Sequence, residues 1–531
     1  MRAWHVALAL AVVSIDARVA RPQEDDKATA AEPPDTSGVV LDASPAPKDP
    51  TARTLWLTSE ASAVLHRHGE LARARIGAAF IDVDSGKVLW AIDQAGQYNL
   101  ASCTKLLTSS AALARLGPGF RWRTAVYAEK LDVATGVVEG DLYVRGRGDP
   151  TLDDAALRSI AIDVRRAGVK RVTGRLVIDD TYFDGDIMPP HFADQPKEQS
   201  GYRSAVSAFG VDGNAITVVI EPDPAGVAPG EIHLEPDAGD YVRIKEGNVS
   251  TVTEGRGRVR VDAKSNGDHV ELTITGQVRA DGGVDLTRRR IDDPSRFAGE
   301  AMRTALVAEG ITIGKRIARG VVPPTARQLA AHDSHELADV VRDMNKFSNN
   351  YYAESILKTL GAEAKQPPPP PTMPKLPLAG PEGPRATWAD GLAVVRDFLE
   401  KDVGLATGSY RVENGSGLYD ASGVSPLALA QVVAHASRDF KYGPDLVASL
   451  AIAGVDGTMR KRFAGTPNTG RVRAKTGTLA NVSTLGGLVA VDGRRPIAFA
   501  ILVNDIPDGG RAKARALEDE LLDVALAYLA P

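Results

Sequence analysis

An α+β fold is predicted for this chain: one antiparallel sheet drawing strands from both ends of the sequence, flanked by helices and interrupted by a large β-rich insertion. Three observations lead there. Strand-and-turn patterning appears early, over 76–92, and returns late, over 471–503. Helical spacing dominates 296–308, 337–360, 388–399 and 426–437. Between about 121 and 330 the texture changes to short β-branched runs with Gly- and Asn-containing turns.

The elements follow in order. Apolar residues Leu55, Leu57, Ala61, Val64 and Leu65 space a helix over 51–72. Runs 76–82 and 88–92, joined through Asp84-Ser85-Gly86, read as a hairpin. The run 104–116 is apolar and free of Gly and Pro, a buried helix opening at Ser102. Residues 142–144 and 175–179 read as strands, with Thr151 as cap of a helix over 155–167. Strands follow at 215–221, 259–263 and 270–275, the last two joined by Asn266-Gly267, a strong hairpin signal. Arginines 256, 258, 260 and 288–290 are interleaved with aspartates and read as solvated strand faces. The proline run 367–371 reads as an extended surface insertion. The chain closes with a strand at 471–478, a hairpin of 483–491 with 496–503, and a helix over 511–529.

Composition narrows the function classes. The length has room for about three domains, and 43% hydrophobic with 25% charged residues suits packed cores under a polar surface. A net charge of −5 gives no sign of nucleic-acid binding. A single cysteine excludes intrachain disulfides and cysteine-built metal sites. Residues 1–20, with Met1-Arg2 before a short apolar run, read as a signal peptide and hence export to the periplasm, although Asp16, Arg18 and Arg21 crowd the cleavage region. Residues 21–50 are rich in Pro, Ala and Asp and read as a disordered leader.

Chemistry concentrates in three places. Ser102 and Lys105 are three apart, so on a helix they share a face. A serine hydroxyl becomes a nucleophile when a neighbour takes its proton, and a desolvated lysine can do so. Ser348 and Asn350 stand two apart before a helix, and Lys475-Thr476-Gly477-Thr478 lies on a strand. Each pattern alone is common; in this order the three divide one acyl-transfer reaction among them. Cys103, beside Ser102, has no nearby histidine and reads as a small buried residue. His332 and His335 lack any ligand cluster and read as loop residues before a helix, so neither metal nor cofactor is expected.

With these motifs the chain resembles the penicillin-binding D-alanyl-D-alanine carboxypeptidases and endopeptidases of the penicillin-binding protein 4 type, peptidase family S13. Gly148-Asp149-Pro150-Thr151-Leu152, Asp179-Asp180-Thr181-Tyr182-Phe183, Asn414-Gly415-Ser416-Gly417-Leu418 and Gly454-Val455-Asp456-Gly457-Thr458 share the resemblance. Asn414 departs from it, standing where aspartate is expected, as does the proline run. The resemblance implies a serine transpeptidase/β-lactamase-like domain from 51–120 and 331–531. The region 121–330 would be inserted into it as two subdomains, 121–200 with 285–330 and 201–284. It implies hydrolysis of peptidoglycan stem peptides through an acyl-enzyme, and acylation by β-lactams. Ser102 would attack, Lys105 act as base, Ser348 pass a proton to the leaving amine, and Asn350 bind substrate and Lys105. Lys475, Thr476 and Thr478 would hold the terminal carboxylate, and Gly477 would let the substrate backbone approach. The N–H groups of Ser102 and Thr478 would form the oxyanion hole. Asp179, with Asp180 behind it, would meet a diaminopimelate amine.

Two rivals are weaker. A β-lactamase would carry its second motif much closer to the nucleophile, and no Glu-x-x-Leu-Asn deacylation loop is present. A non-catalytic wall-binding protein has no use for an unprotonated lysine beside a serine.

Overall fold

In the computed structural model, which describes residues 45–366, 382–419 and 422–530, the central sheet has six strands. From edge to edge these are Ala451–Ile452, Val472–Leu479, Val482–Val489, Ile497–Asn504, Arg75–Asp82 and Val88–Ile92. Every neighbouring pair is antiparallel. The two ends of the chain therefore meet in one sheet. Strands Val482–Val489 and Ile497–Asn504 are buried at every position, covered on both faces.

Side-chain alternation sorts the two faces. Phe499, Ile501 and Val503 pack with Phe80 against the first and last helices, Pro50–Arg67 and Arg511–Leu529. Ala498, Ala500 and Leu502 face the opposite core, shared with the helices Thr104–Leu116, Leu337–Phe347, Asn350–Lys365 and Pro426–Arg438. The catalytic motifs lie on this second side. Ahead of the first described helix, Asp49 accepts from the Ala52 N–H at 2.8 Å and Pro50 opens the helix, so the last residues of the expected 21–50 leader are structured. The proposed signal segment and the proline run lie outside the described residues.

Between Arg123 and Asp333 the chain builds a mixed five-stranded sheet, in the order Ile317–Arg319, Leu176–Asp179, Leu142–Arg145, Arg123–Ala128 and Arg327–Asp333. Helices Asp154–Arg166 and Pro294–Ala308 share its core. Three three-stranded sheets accompany it: a small one of Leu131–Asp132, Val137–Val138 and Arg171–Val172, and two outer ones built from strands between Ala215 and Arg290. In one, Arg258–Ser265 and Val270–Arg279 form the hairpin turned at Asn266-Gly267, where Gly267 takes φ 79°.

Several local expectations change. Asp153, not Thr151, caps the helix Asp154–Arg166, accepting from Ala156 N–H at 2.8 Å, while the Thr151 hydroxyl donates to Asp149. The helical span 337–360 is two helices, broken where Ser348 adopts φ 60°. His332 belongs to a strand, opposite Thr124, rather than to a loop. Arg289 is not a solvated face residue: it donates to Val261 carbonyl at 2.8 Å and joins the two outer sheets. Strand Val242–Val252 escapes the hydrophobic pattern because its only buried residues are Val242, Val249 and Thr251. Among the described residues no helix is long and apolar enough to cross a membrane, and no group of three His, Cys, Asp or Glu is placed to hold a metal ion.

The last helix is fixed to the sheet by a buried charge. Glu518, fully buried, accepts from Arg462 at 3.0 Å and from the Ser483 hydroxyl at 2.7 Å. Removing one partner of a buried pair leaves the other uncompensated. Glu518→Ala is expected to cost about 3 kcal/mol, the low end of that range because Arg462 keeps Asp519. Urea unfolding of the purified protein measures it, and a loss under about 1 kcal/mol would remove Glu518 as an anchor.

Candidate active site

The nucleophile turn is held before any substrate arrives. Ala101–Cys103 forms a single 3₁₀ turn leading into the helix Thr104–Leu116, so Ser102 precedes the α-helix rather than opening it. Ala101 takes φ 45°, a conformation that favours glycine, and its N–H donates to Asn99 Oδ1 at 2.8 Å. Asn504, ending a central strand, holds Asn99 from both sides. Its Oδ1 accepts from Asn99 N–H at 2.7 Å, and its amide donates to Asn99 carbonyl at 3.1 Å. The local strain is thereby carried by the sheet.

One turn along, fully buried Lys105 has three polar neighbours within 3.0 Å of Nζ: Asn350 Oδ1 at 2.7 Å, Ser416 carbonyl at 3.0 Å and Ser102 Oγ at 3.0 Å. Two of them only accept hydrogen bonds. A neutral amine has two hydrogens and one lone pair, so the hydrogens go to Asn350 and Ser416 and the lone pair faces the Ser102 hydroxyl. Burial, and then the charge of Lys475, hold the Lys105 ammonium well below the ordinary lysine range. The geometry and the electrostatics describe the same protonation state.

Ser348 and Asn350 flank the break between two helices. The left-handed backbone at Ser348 turns its hydroxyl to Lys475, which donates to it at 2.9 Å. Asn350 Nδ2 donates to Tyr202 carbonyl at 3.2 Å, which fixes the amide with its oxygen toward Lys105. Lys475 is fully buried and also donates to Thr476 carbonyl at 2.6 Å, leaving one N–H uncommitted by these bonds. Burial lowers its pKa to about 8. Thr476 donates to Thr458 at 2.9 Å, and Thr478 is exposed. Ala451–Ile452 pairs only with Arg473–Ala474, so beyond Ala474 the outer edge of this strand has no partner strand among the described residues.

Gly477 has a different reason from the one expected of it. A Cβ there would lie 2.5 Å from Leu100 carbonyl and 2.2 Å from Thr484 Oγ1. The missing side chain admits the nucleophile turn, not the substrate. Cys103 closes the same seam, donating to Lys475 carbonyl at 3.1 Å, and burial raises its thiol to about 11, which leaves no thiolate to compete with Ser102.

The family model for D-Ala-D-Ala carboxypeptidase 3 (S13) matches residues 57–525. The chain belongs to the S13 peptidase family. A D-alanyl-D-alanine carboxypeptidase of Actinomadura sp. (strain R39) is 32% identical, covering 88% of this chain and 84% of the relative. The D-alanyl-D-alanine carboxypeptidase DacB of Haemophilus influenzae is 24% identical over 77% of this chain and 81% of its own. The crystal structure of penicillin binding protein 4 (dacB) from Haemophilus influenzae superposes with a TM-score of 0.69 at 21% identity, covering 87% of this chain and 99% of that one. Its complex with a β-lactam gives 0.65 at 21% identity, over 87% and 100%.

In this S13 chain Asp179 does not join the other site residues. It is fully buried, and its oxygens accept from Arg145 Nε at 2.8 Å, Val322 N–H at 2.9 Å, and the Thr181 N–H and hydroxyl at 3.1 and 2.5 Å. A carboxylate so occupied ties strands of the inserted sheet together and has no face for a substrate amine. Asp180 is likewise engaged, accepting from the Ser295 hydroxyl at 2.5 Å. Sequence reading missed Tyr202, Glu354, Thr484 and Asn504, none of which sits in a motif, and quoted Thr458 within a stretch without giving it a role. The fully buried Glu354 carried one signal, a charge four residues after Asn350 and so on the same helix face. Asp179→Ala is expected to destabilise the fold by about 3–5 kcal/mol, with equal loss on substrates bearing a free or a blocked side-chain amine. Selective loss on the free amine would return Asp179 to substrate recognition.

Proposed function

We propose that this protein is a serine-type D-alanyl-D-alanine carboxypeptidase and DD-endopeptidase acting on peptidoglycan stem peptides, and that β-lactams acylate it at Ser102. The observation that carries the reading is the Lys105 lone pair directed at the Ser102 hydroxyl. The named activities of the S13 relatives and the β-lactam-bound relative agree with it.

Each step has a group to perform it. An extended peptide aligns along the open strand edge beyond Ala474, as strands add to a free sheet edge. The third Lys475 N–H takes the terminal D-alanine carboxylate, with Thr476 and Thr478 beside it. Ser102 Oγ attacks the scissile carbonyl while its proton passes to Lys105. The N–H groups of Ser102 and Thr478 receive the oxyanion. As the C–N bond breaks, the proton taken up by Lys105 passes to the departing amine through Ser348, whose hydroxyl hydrogen is free because its oxygen accepts from Lys475, and Lys105 is neutral again. Water then attacks the ester carbonyl as Lys105 takes its proton; the acyl–Oγ bond breaks, Lys105 returns that proton to Ser102 Oγ, and the acid product leaves. The free N–H of Asn350 meets the substrate carbonyl. The basic and apolar start of the chain supports export to the periplasm, where this substrate lies.

Ser102→Ala is expected to abolish labelling by fluorescent penicillin, and Lys105→Ala to reduce it by at least about 100-fold, the scale of lost general-base catalysis. The unaltered protein should release D-alanine from a diacetyl-Lys-D-Ala-D-Ala peptide; labelling of Ser102→Ala, or acylation without release, would contradict the assignment.

The pH dependence has a defined sign. Lys105 works unprotonated, so kcat/KM rises from acid as it loses its proton. Lys475 works protonated, and its pKa of about 8 makes kcat/KM fall as pH rises through that value. A profile flat from pH ~7 to ~10 would show that carboxylate recognition does not use the Lys475 charge.

A further inference from the structure

Two acceptors direct Lys105, and residues outside the three motifs hold both. Tyr202 carbonyl fixes Asn350. For Ser416 the holder is Glu354, one helical turn beyond Asn350. Its Oε1 accepts from Ser416 N–H at 2.8 Å and its Oε2 from Gly415 N–H at 3.0 Å. Glu354 is fully buried, and its two oxygens are engaged by these backbone N–H groups. A buried carboxyl is costly unless its hydrogen bonds are made, and here two adjacent backbone N–H groups make them.

The loop it grips has little freedom otherwise. Thr108, on the nucleophile helix, donates to Gly415 carbonyl at 2.8 Å. Asn414 Oδ1 accepts from Gly417 N–H at 2.8 Å, closing the turn. A Cβ at Gly417 would lie 1.9 Å from Ala101 carbonyl, so the loop is pressed against the turn that carries Ser102. Glu354 fixes the Gly415–Ser416 peptide plane through the Ser416 N–H, and Asn414 fixes the next plane, which carries the Ser416 carbonyl, through the Gly417 N–H; the two grips together set where that carbonyl points.

We infer that Glu354 is a positioning residue for the base: by gripping the Gly415 and Ser416 N–H groups it holds the Ser416 carbonyl on Lys105, and so turns the lysine lone pair toward Ser102. The inference rests on the acyl-enzyme reading of the site and extends it. Without Glu354 one of the two grips on the Ser416 carbonyl is gone and only Asn414 orients it, so the acceptor for one Lys105 hydrogen shifts and the lone pair is held less closely on Ser102. Glu354 also supplies a negative charge when ionised; burial pushes its carboxyl up, and the Ser416 and Gly415 hydrogen bonds and the Lys105 charge oppose that shift. The charges acting on Lys105 are Lys475, which favours the neutral amine, and Glu354, which opposes it; the Cys103 thiol, raised to about 11, carries no charge over the working range.

The two contributions separate by substitution. Glu354→Gln keeps the shape but loses the charge and one acceptor; Glu354→Asp keeps the charge but loses reach. The second-order rate of acylation by fluorescent penicillin is measured from pH ~5 to ~10 for the full-length protein and both variants. Both rates are expected to fall at least about 10-fold at the optimum, the cost of a misdirected general base. In Glu354→Gln the acid limb should also move about one unit toward lower pH, because Lys105 loses a neighbouring anion. In Glu354→Asp it should stay. A purely structural glutamate would lower the fraction of active protein, counted by burst labelling, and leave the limb of the active fraction unmoved; that result overturns the inference. If Glu354→Gln does not fold, acylation by Glu354→Asp at an unchanged rate overturns it equally. Absence of acylation in the unaltered protein would instead fail the acyl-enzyme reading.

Discussion

The site depends on where one lone pair points. Lys105 is buried, and a charged ammonium there is disfavoured both by desolvation and by Lys475. Neutrality alone does not make it a base for Ser102. Its two hydrogens must be consumed elsewhere, and Asn350 Oδ1 and Ser416 carbonyl consume them. Those acceptors come from a helix start and from a loop far along the chain, so the reactive geometry exists only in the assembled fold. Close approach at Gly417 and Gly477 locks the same pieces around the nucleophile turn.

The region between Arg123 and Asp333 takes part in that assembly. Tyr202 carbonyl accepts from the Asn350 amide, His191 Nε2 lies 2.6 Å from Glu413 Oε2, and Phe192 meets Tyr419 edge-on at 5.6 Å. These contacts tie one segment of the insertion to the loop beside Ser416. The insertion therefore shapes the catalytic centre rather than hanging beside it.

Much of this was legible in the sequence, for reasons particular to each element. The central strands and the helices around Ser102 announce themselves because they bury long apolar runs. Ser102, Lys105, Ser348, Asn350 and Lys475 are legible because the chemistry constrains both their types and their order. Strand Val242–Val252 was hidden because an exposed edge strand has no need of an apolar face. Asp179 misled because an aspartate after a strand looks alike whether it meets solvent, substrate or a buried arginine; only the four bonds to its oxygens distinguish these. Asn504 was illegible, and Glu354 legible only as a charge on the Asn350 helix face, because both act through backbone groups of residues several elements away.

The two terminal helices, Pro50–Arg67 and Arg511–Leu529, pack together behind the central sheet, and Arg53 reaches across to Ala530 carbonyl at 2.7 Å. Ser102 lies on the other side. A support or fusion partner joined at either helix would thus sit at the molecule's back, and the cleft would still face a bulky, insoluble polymer. For immobilising this protein against intact wall material, attachment through the exposed faces of these two helices offers the favourable orientation.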